Sequence, residues 1–174
     1  MATEILSVDD AQLAKLAAQV GEHLRASRRR LVTAESCTGG WIGKVLTDVA
    51  GSSAWFLGGA VVYSNELKRR TLGVSAATLA QHGAVSQAAV CAMAEGALDQ
   101  LGGELSVAVS GIAGPDGGTS DKPVGTVWFS WARRGTNAID TLSERQVFVG
   151  DREQVRRQTV LRALQRILQD SLAT

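Results

Sequence analysis

Residues 33–40, with the sequence TAESCTGG, constrain the fold more than any other stretch of this chain. They follow a short apolar run, Leu31 and Val32, that is typical of the end of a buried strand. They precede residues 41–46, which are typical of the opening of a helix. A strand, a tight polar turn and a helix together direct backbone N–H groups and small side chains at a ligand. The alternative is a polar turn that only caps the helix, with two flexible glycines, since most such turns bind nothing.

Composition and charge are those of an ordinary globular protein. The chain has 174 residues, 45% of them hydrophobic and 20% charged, which is enough for one domain over residues 1–174 with its own core. A net charge of +1 implies no strong field for nucleic acid or a membrane. No signal peptide and no apolar run of membrane-spanning length is recognisable. We therefore expect a cytoplasmic protein that binds neither nucleic acid nor a membrane, while a homo-oligomer stays open.

Short apolar runs alternate with helical patterns along the chain. Strands are predicted from Leu31, at residues 57–63 (a buried strand), 105–110 and 127–132, and at 138–148 as the second arm of a hairpin. Helices are predicted from about Val8, capped by Ser7, and over residues 40–49, 66–72, 75–82, 87–101 and from 150 onward. This alternation predicts an α/β fold: a three-layer α/β/α sandwich with a mixed, mostly parallel sheet.

Hydrolytic chemistry needs a nucleophile and a base, and the chain offers few of either. Ser36, directly after a strand, is a candidate nucleophile. His23 and His82 lie at positions typical of structural histidines, so we consider Lys68, whose pKa burial or a nearby cation would have to lower. Lys68 follows the strand that ends at Tyr63, and Tyr63 can relay a proton between Ser36 and Lys68. The alternative is that Lys68 is a solvated charge on a short exposed helix.

Other motifs are weaker or fail. Cys37 is a rival nucleophile, but it points to the other side of the turn from Ser36, so only one of them can face a substrate. Lys44 does not complete a phosphate loop, because the pattern G-x-x-x-x-G-K-[ST] fails at positions 38 and 45. The two cysteines and two histidines form no metal-ligand motif, so we expect no metal and no cofactor. The long loop at residues 111–125 directly follows a strand, which favours a functional role.

Seven segments in a fixed order carry a family resemblance. They are residues 33–40, 51–56, 63–66 with Lys68, 82–86, 110–118, 122–128 and 150–152. With them the chain resembles the C-terminal domain of the CinA (competence/damage-inducible) proteins. The seven segments span nearly the whole chain. Together they are specific for this family, although no single segment is.

The resemblance implies hydrolysis of the carboxamide of nicotinamide mononucleotide, giving nicotinic acid mononucleotide and ammonia, in pyridine nucleotide salvage. It also implies a serine–lysine hydrolase without metal, with Ser36 as nucleophile, Lys68 as base and Tyr63 between them. The start of the helix after Thr38 would supply oxyanion donors, and the glycine-rich loop and Arg152 would hold the phosphate. The expected substrate-binding residues are Thr38, Gly39, Gly40, Asn65, Gly111, Ala113, Gly114 and Arg152.

Two alternatives stay open at this point. The first is a cysteine-based amidase that uses Cys37 on the same substrate. The second is a non-catalytic nucleotide-binding or regulatory domain, because many members of the family act as partners of a second domain.

Overall fold

The computed structural model describes residues 8–169. Its α-helices are α1 (Asp10–Ser27), α2 (Trp41–Thr47), α3 (Asn65–Leu72), α4 (Ala76–His82), α5 (Gln87–Leu101) and α6 (Arg152–Leu168). Its strands are β1 (Leu31–Glu35), β2 (Phe56–Val61), β3 (Leu105–Gly111), β4 (Thr126–Arg134) and β5 (Ile139–Val147). Within this range, no helix combines the length and the apolar character that crossing a membrane requires.

The strands form one mixed sheet in the order β2-β1-β3-β4-β5. β1 is parallel to both of its neighbours, β2 and β3, whereas β4 is antiparallel to β3 and to β5. Four strands therefore point in one direction and only β4 points in the other. The predicted hairpin of the last two strands is confirmed, as is the mixed, mostly parallel sheet.

Helices cover both faces of the sheet and give two separate apolar cores. The first core lies under α1, α2 and α6 and includes Leu13, Ile42 and Val160. The second lies under α3, α4 and α5 and includes Leu72, Leu79 and Met93. All five residues of β1 are buried, because this strand has a neighbour on each side and a helical layer on each face. The predicted three-layer α/β/α sandwich is confirmed.

Three helices begin directly after a serine that caps the first turn. Ser64, Ser75 and Ser86 each accept a hydrogen bond from a backbone N–H in the first turn of α3, α4 and α5. The cap of α1 is Asp9, which accepts from the Gln12 N–H, so the predicted start near Val8 is about two residues early. Ser7, the predicted cap, lies outside the described residues.

Two strand predictions were wrong. β1 does not end near Val32 but continues through Glu35, because residues 31–35 all pair with β3. β2 is not a buried strand: it lies at the edge of the sheet, and Leu57 and Val61 are 42% and 49% exposed. A small and branched composition alone does not distinguish an edge strand from a central one. The register of β2 with β1 also shifts between Leu31 and Val32, which makes the pairing irregular beside Gly58.

Close packing of α5 against α3 positions the helix that carries Lys68. Gly96 of α5 is buried, and a Cβ placed there would lie 1.9 Å from the backbone oxygen of Leu72. Only glycine therefore permits this approach. The contact holds α3 close to the carboxyl ends of β1 and β2.

Candidate active site

Ser36 lies at the edge of the sheet where β1, β2 and β3 end. It is the first residue after β1, and its N–H donates to the Val109 carbonyl at 3.1 Å, which continues the pairing with β3. Its side chain is buried. Carboxyl ends of parallel strands meet at one edge of a sheet, and this is where open α/β sheets bind ligands.

Lys68 reaches the same edge from α3 and contacts Ser36 directly. Its side chain is only 1% exposed, and Nζ lies 3.0 Å from Ser36 Oγ. Nζ also donates to the backbone oxygens of Val62 and Tyr63, at 2.8 and 3.1 Å. Burial lowers the pKa of Lys68 below that of an ordinary lysine. In the neutral amine, the two carbonyls hold the two N–H groups and the lone pair is left for the hydroxyl of Ser36.

Tyr63 contacts Lys68 through its backbone and not through its ring. Its side chain is 63% exposed, and its hydroxyl accepts from Arg152 Nη2 at 3.4 Å. Because Ser36 and Lys68 are already in hydrogen-bond contact, a proton passing between them needs no relay through the Tyr63 hydroxyl.

Glu35 organises the turn, a role that was not predicted from the sequence. Its carboxylate is buried at the end of β1 and points at the start of α2. Four donors from residues 38–43 converge on it, the Thr38 hydroxyl at 2.6 Å and the N–H groups of Gly40, Ile42 and Gly43 at 3.1, 3.0 and 2.8 Å, and the Thr33 hydroxyl donates a longer bond at 3.5 Å. It thus caps the helix with a full negative charge at the positive end of the dipole. The available signal was an acidic residue in an apolar strand just before a helix.

Consequently the expected ligand groups at the start of α2 are occupied. The hydroxyl of Thr38 and the N–H of Gly40 bind Glu35, and the N–H of Gly39 donates to the Ser36 carbonyl at 3.1 Å. Gly39 and Gly40 have φ angles of 62° and 95°, which explains why glycine is needed at both positions. The expectation that this helix start supplies free oxyanion donors was wrong. Across residues 8–169, however, the N–H groups of Cys37 and Thr38 donate to no backbone carbonyl.

Cys37 points away from Lys68. Its side chain packs into the first core, under α1, α2 and α6, whereas Ser36 contacts Lys68 on the α3 side of the sheet. Burial raises the pKa of the Cys37 thiol to about 12. The thiol therefore stays protonated near neutral pH, and a protonated thiol is a poor nucleophile.

The remaining predicted residues surround this edge. Arg152, the first residue of α6, donates from Nη1 to the Gly114 carbonyl at 2.8 Å. Gly111 ends β3, and Ala113 is buried in the loop that follows. Asn65 begins α3 and is exposed three residues before Lys68. Among the described residues, no group of three or more His, Cys, Asp and Glu side chains is placed to hold a metal ion.

Comparison with known proteins gives consistent matches. Residues 13–171 match the family model of the CinA C-terminal domain. The chain is 53% identical over 163 residues to the nicotinamide-nucleotide amidohydrolase PncC of Escherichia coli K12, covering 94% of this chain and 97% of that one. It is 54% identical over 154 residues to the protein of the same name from Pseudomonas putida, covering 88% and 94%. The crystal structure of the competence/damage-inducible protein CihA from Agrobacterium tumefaciens superposes with a TM-score of 0.87 at 38% identity, covering 94% and 98%.

Replacing Glu35 tests its part in the turn. We expect Glu35→Gln to lower the free energy of unfolding by about 1–3 kcal/mol, because one amide oxygen replaces a charged acceptor of four hydrogen bonds. Chemical denaturation would measure the change. Glu66→Gln is the matched control, since its exposed pair with Arg70 should contribute no more than about 0.5 kcal/mol. Equal stability of the two variants would contradict the role assigned to Glu35.

Proposed function

The chain belongs to the CinA C-terminal domain family, and from that premise we propose that it hydrolyses the carboxamide of nicotinamide mononucleotide. The products are nicotinic acid mononucleotide and ammonia, a reaction of pyridine nucleotide salvage. Two relatives of about this length, each more than half identical, are named for this class of reaction. The observation that carries the proposal is the buried contact between Lys68 Nζ and Ser36 Oγ.

The first half of the reaction transfers the acyl group to Ser36. Neutral Lys68 takes the hydroxyl proton while Ser36 Oγ forms a bond to the carboxamide carbon. The carbonyl electrons move onto the oxygen, giving a tetrahedral oxyanion. Lys68 then returns the proton to the amide nitrogen, the C–N bond breaks, and ammonia leaves an ester on Ser36. The two backbone carbonyls around Nζ support this role, because they orient the amine toward Ser36 in both protonation states.

The second half repeats these steps with water. Lys68 takes a proton from a water molecule, whose oxygen attacks the ester carbon, and the C–Oγ bond then breaks. The proton returns from Lys68 to Ser36 Oγ, and the carboxylic acid product loses its remaining proton to solvent and leaves as the carboxylate. Lys68 thus carries the proton in both the acylation and the hydrolysis of the ester.

The oxyanion needs donors that the protein has not already used. The N–H groups of Cys37 and Thr38 meet this condition among the described residues, and they follow the nucleophile by one and two positions. A backbone N–H directly after the nucleophile is a common oxyanion donor in hydrolases. Thr38 therefore contributes its backbone rather than its side chain.

The substrate phosphate requires a second set of donors further from Ser36. Arg152 is exposed and bridges the loop after β3 and the hydroxyl of Tyr63. Its guanidinium has donors to spare for a phosphate. We assign the phosphate to this region, with Gly111, Ala113, Gly114 and Asn65 around the nucleotide.

Two other functions are less well supported. The buried and protonated thiol of Cys37 argues against a cysteine amidase. A non-catalytic binding domain would give a lysine no reason to lie buried against a serine hydroxyl, because burying an amine is costly. Ammonia release by the purified chain separates an enzyme from a binding protein. A cytoplasmic location and a homo-oligomer stay predictions.

Replacing each of the two neighbouring candidate nucleophiles with alanine tests which side chain attacks the substrate. Ser36→Ala should lower kcat by about 10⁴-fold or more, because no other hydroxyl within residues 8–169 forms a hydrogen bond with Lys68. Cys37→Ala should keep most of the activity. Ammonia release from nicotinamide mononucleotide measures both, with binding of the nucleotide to Ser36→Ala as a test of folding. The reverse pattern would move the nucleophile to the thiol.

The pH dependence tests Lys68 as base. Since the amine must be neutral to accept a proton, kcat/KM should rise with pH through an apparent pKa below the ordinary lysine value of about 10.4. Lys68→Ala and Lys68→Arg should both lose about 10²–10⁴-fold in kcat, because a guanidinium keeps its proton. Both variants should still bind the nucleotide. An active Lys68→Arg enzyme would mean that this position supplies only charge.

Arg152 provides a test of the phosphate site. Arg152→Ala should raise KM by about 10- to 100-fold with a smaller effect on kcat, since a charge-assisted contact contributes about 1.5–3 kcal/mol. Arg70→Ala is the control, because that arginine lies on the surface of α3 and pairs with Glu66. Steady-state kinetics on nicotinamide mononucleotide measures both, and an unchanged KM in Arg152→Ala would exclude Arg152 from the site.

A further inference from the structure

Arg156 of α6 contacts the turn after Ser36 from the side opposite Lys68. Its Nε donates to the Cys37 carbonyl at 3.1 Å, and its Nη2 donates to the Thr38 carbonyl at 2.9 Å. The guanidinium also lies over the ring of Trp41, 5.1 Å from the ring centroid. One side chain thus binds two successive carbonyls in the turn that carries the candidate nucleophile.

The Cys37 carbonyl connects Arg156 to one of the two free N–H groups. It belongs to the same peptide unit as the Thr38 N–H. A cation that binds the carbonyl end of a peptide unit polarises it and makes its N–H a stronger donor. The contact also fixes the rotation of that peptide unit, and hence the direction of the Thr38 N–H.

A second path leads from Arg156 to the other free N–H group. The Thr38 carbonyl shares a peptide unit with the Gly39 N–H, which donates to the Ser36 carbonyl at 3.1 Å. The Ser36 carbonyl in turn shares a peptide unit with the Cys37 N–H. Both N–H groups therefore end hydrogen-bonded chains that begin at the same guanidinium, and such chains strengthen cooperatively.

Arg156 and its neighbour Arg157 differ in their ion pairs. In the described part of the chain, Arg156 forms no ion pair, whereas the neighbouring Arg157 pairs with Asp10 and Glu153. Arg157 lies over the same Trp41 ring, at 4.9 Å from the centroid, but its hydrogen bonds go to Asp10 and Glu153. The two arginines therefore share the stacking interaction and differ in the contact with the Cys37 and Thr38 carbonyls.

We propose that Arg156 is a positioning residue that orients and polarises the Cys37 and Thr38 N–H groups toward the oxyanion formed on the substrate. This inference rests on the proposed function. Arg156 does not touch the substrate, and it acts on the transition state because the oxyanion carries full charge only there.

The matched pair Arg156→Met and Arg157→Met tests this role. Methionine keeps an apolar stem against Trp41 and removes every donor. Arg156→Met should lower kcat on nicotinamide mononucleotide by about tenfold, less than the roughly 100-fold cost of deleting an oxyanion donor. Its KM should stay within about twofold of the parent value, as expected for an interaction made only in the transition state. Arg157→Met should keep kcat, and Arg156→Lys, with its charge but a single donor centre, should fall between Arg156→Met and the parent.

A fluorophosphonate probe gives a readout that does not depend on the substrate. Ser36 Oγ forms the bond to phosphorus, the P–F bond breaks and fluoride leaves, while the hydroxyl proton goes to Lys68. Because the phosphoryl oxygen occupies the oxyanion site, the labelling rate of Arg156→Met should fall in parallel with kcat, and Ser36→Ala should not be labelled. If the parent protein reacts with the probe but not with the nucleotide, the proposed substrate is wrong and the labelling rates still test Arg156.

Three results would overturn the inference. Equal losses in Arg156→Met and Arg157→Met would assign the effect to packing on Trp41. A raised KM with unchanged kcat would assign Arg156 to substrate binding. Unchanged kcat and labelling in Arg156→Met would leave it no part in the reaction. If Arg156→Met does not fold, the same comparison is made between Arg156→Lys and Arg157→Lys.

Discussion

The buried carboxylate of Glu35 is the interaction on which the site depends. It receives four hydrogen bonds from residues 38–43 and so joins the end of β1 to the start of α2. A carboxylate away from water is tolerable only when its oxygens are satisfied, and here the helix start supplies the donors. Because the chain must turn within five residues to bring those donors back, two glycines with positive φ follow Thr38. The conformation of the turn is therefore set from inside the protein.

This turn separates two neighbouring side chains with different chemistry. Ser36 is placed on the α3 side of the sheet, where Lys68 lies, and Cys37 is placed in the core on the other side. The separation matters because burial acts in opposite directions on reactivity. It lowers the pKa of an amine and favours the neutral base, and it raises the pKa of a thiol and suppresses the thiolate.

Packing far from the turn keeps Lys68 in this position. The contact of Gly96 with the backbone at Leu72 holds α3 against α5, and α3 then covers the ends of β1 and β2. Two backbone carbonyls bind the amine and offset part of the cost of removing it from water. On the other side, Arg156 of α6 binds the carbonyls of the same turn. Elements from three parts of the chain thus converge on residues 36–39.

The sequence by itself determined the features whose causes are local. Helix caps at Ser64, Ser75 and Ser86, the hairpin and the alternation of strands and helices were predictable, since each depends on residues a few positions apart. Ser36 and Lys68 were identifiable as residue types able to perform hydrolysis. Only the tertiary structure decided that their side chains meet, that β2 is an edge strand, and that Glu35 and Arg156 hold the turn. These facts depend on contacts between residues up to 119 positions apart, or on the direction in which a buried side chain points. Long-range contacts and side-chain directions leave no periodic signal in the sequence.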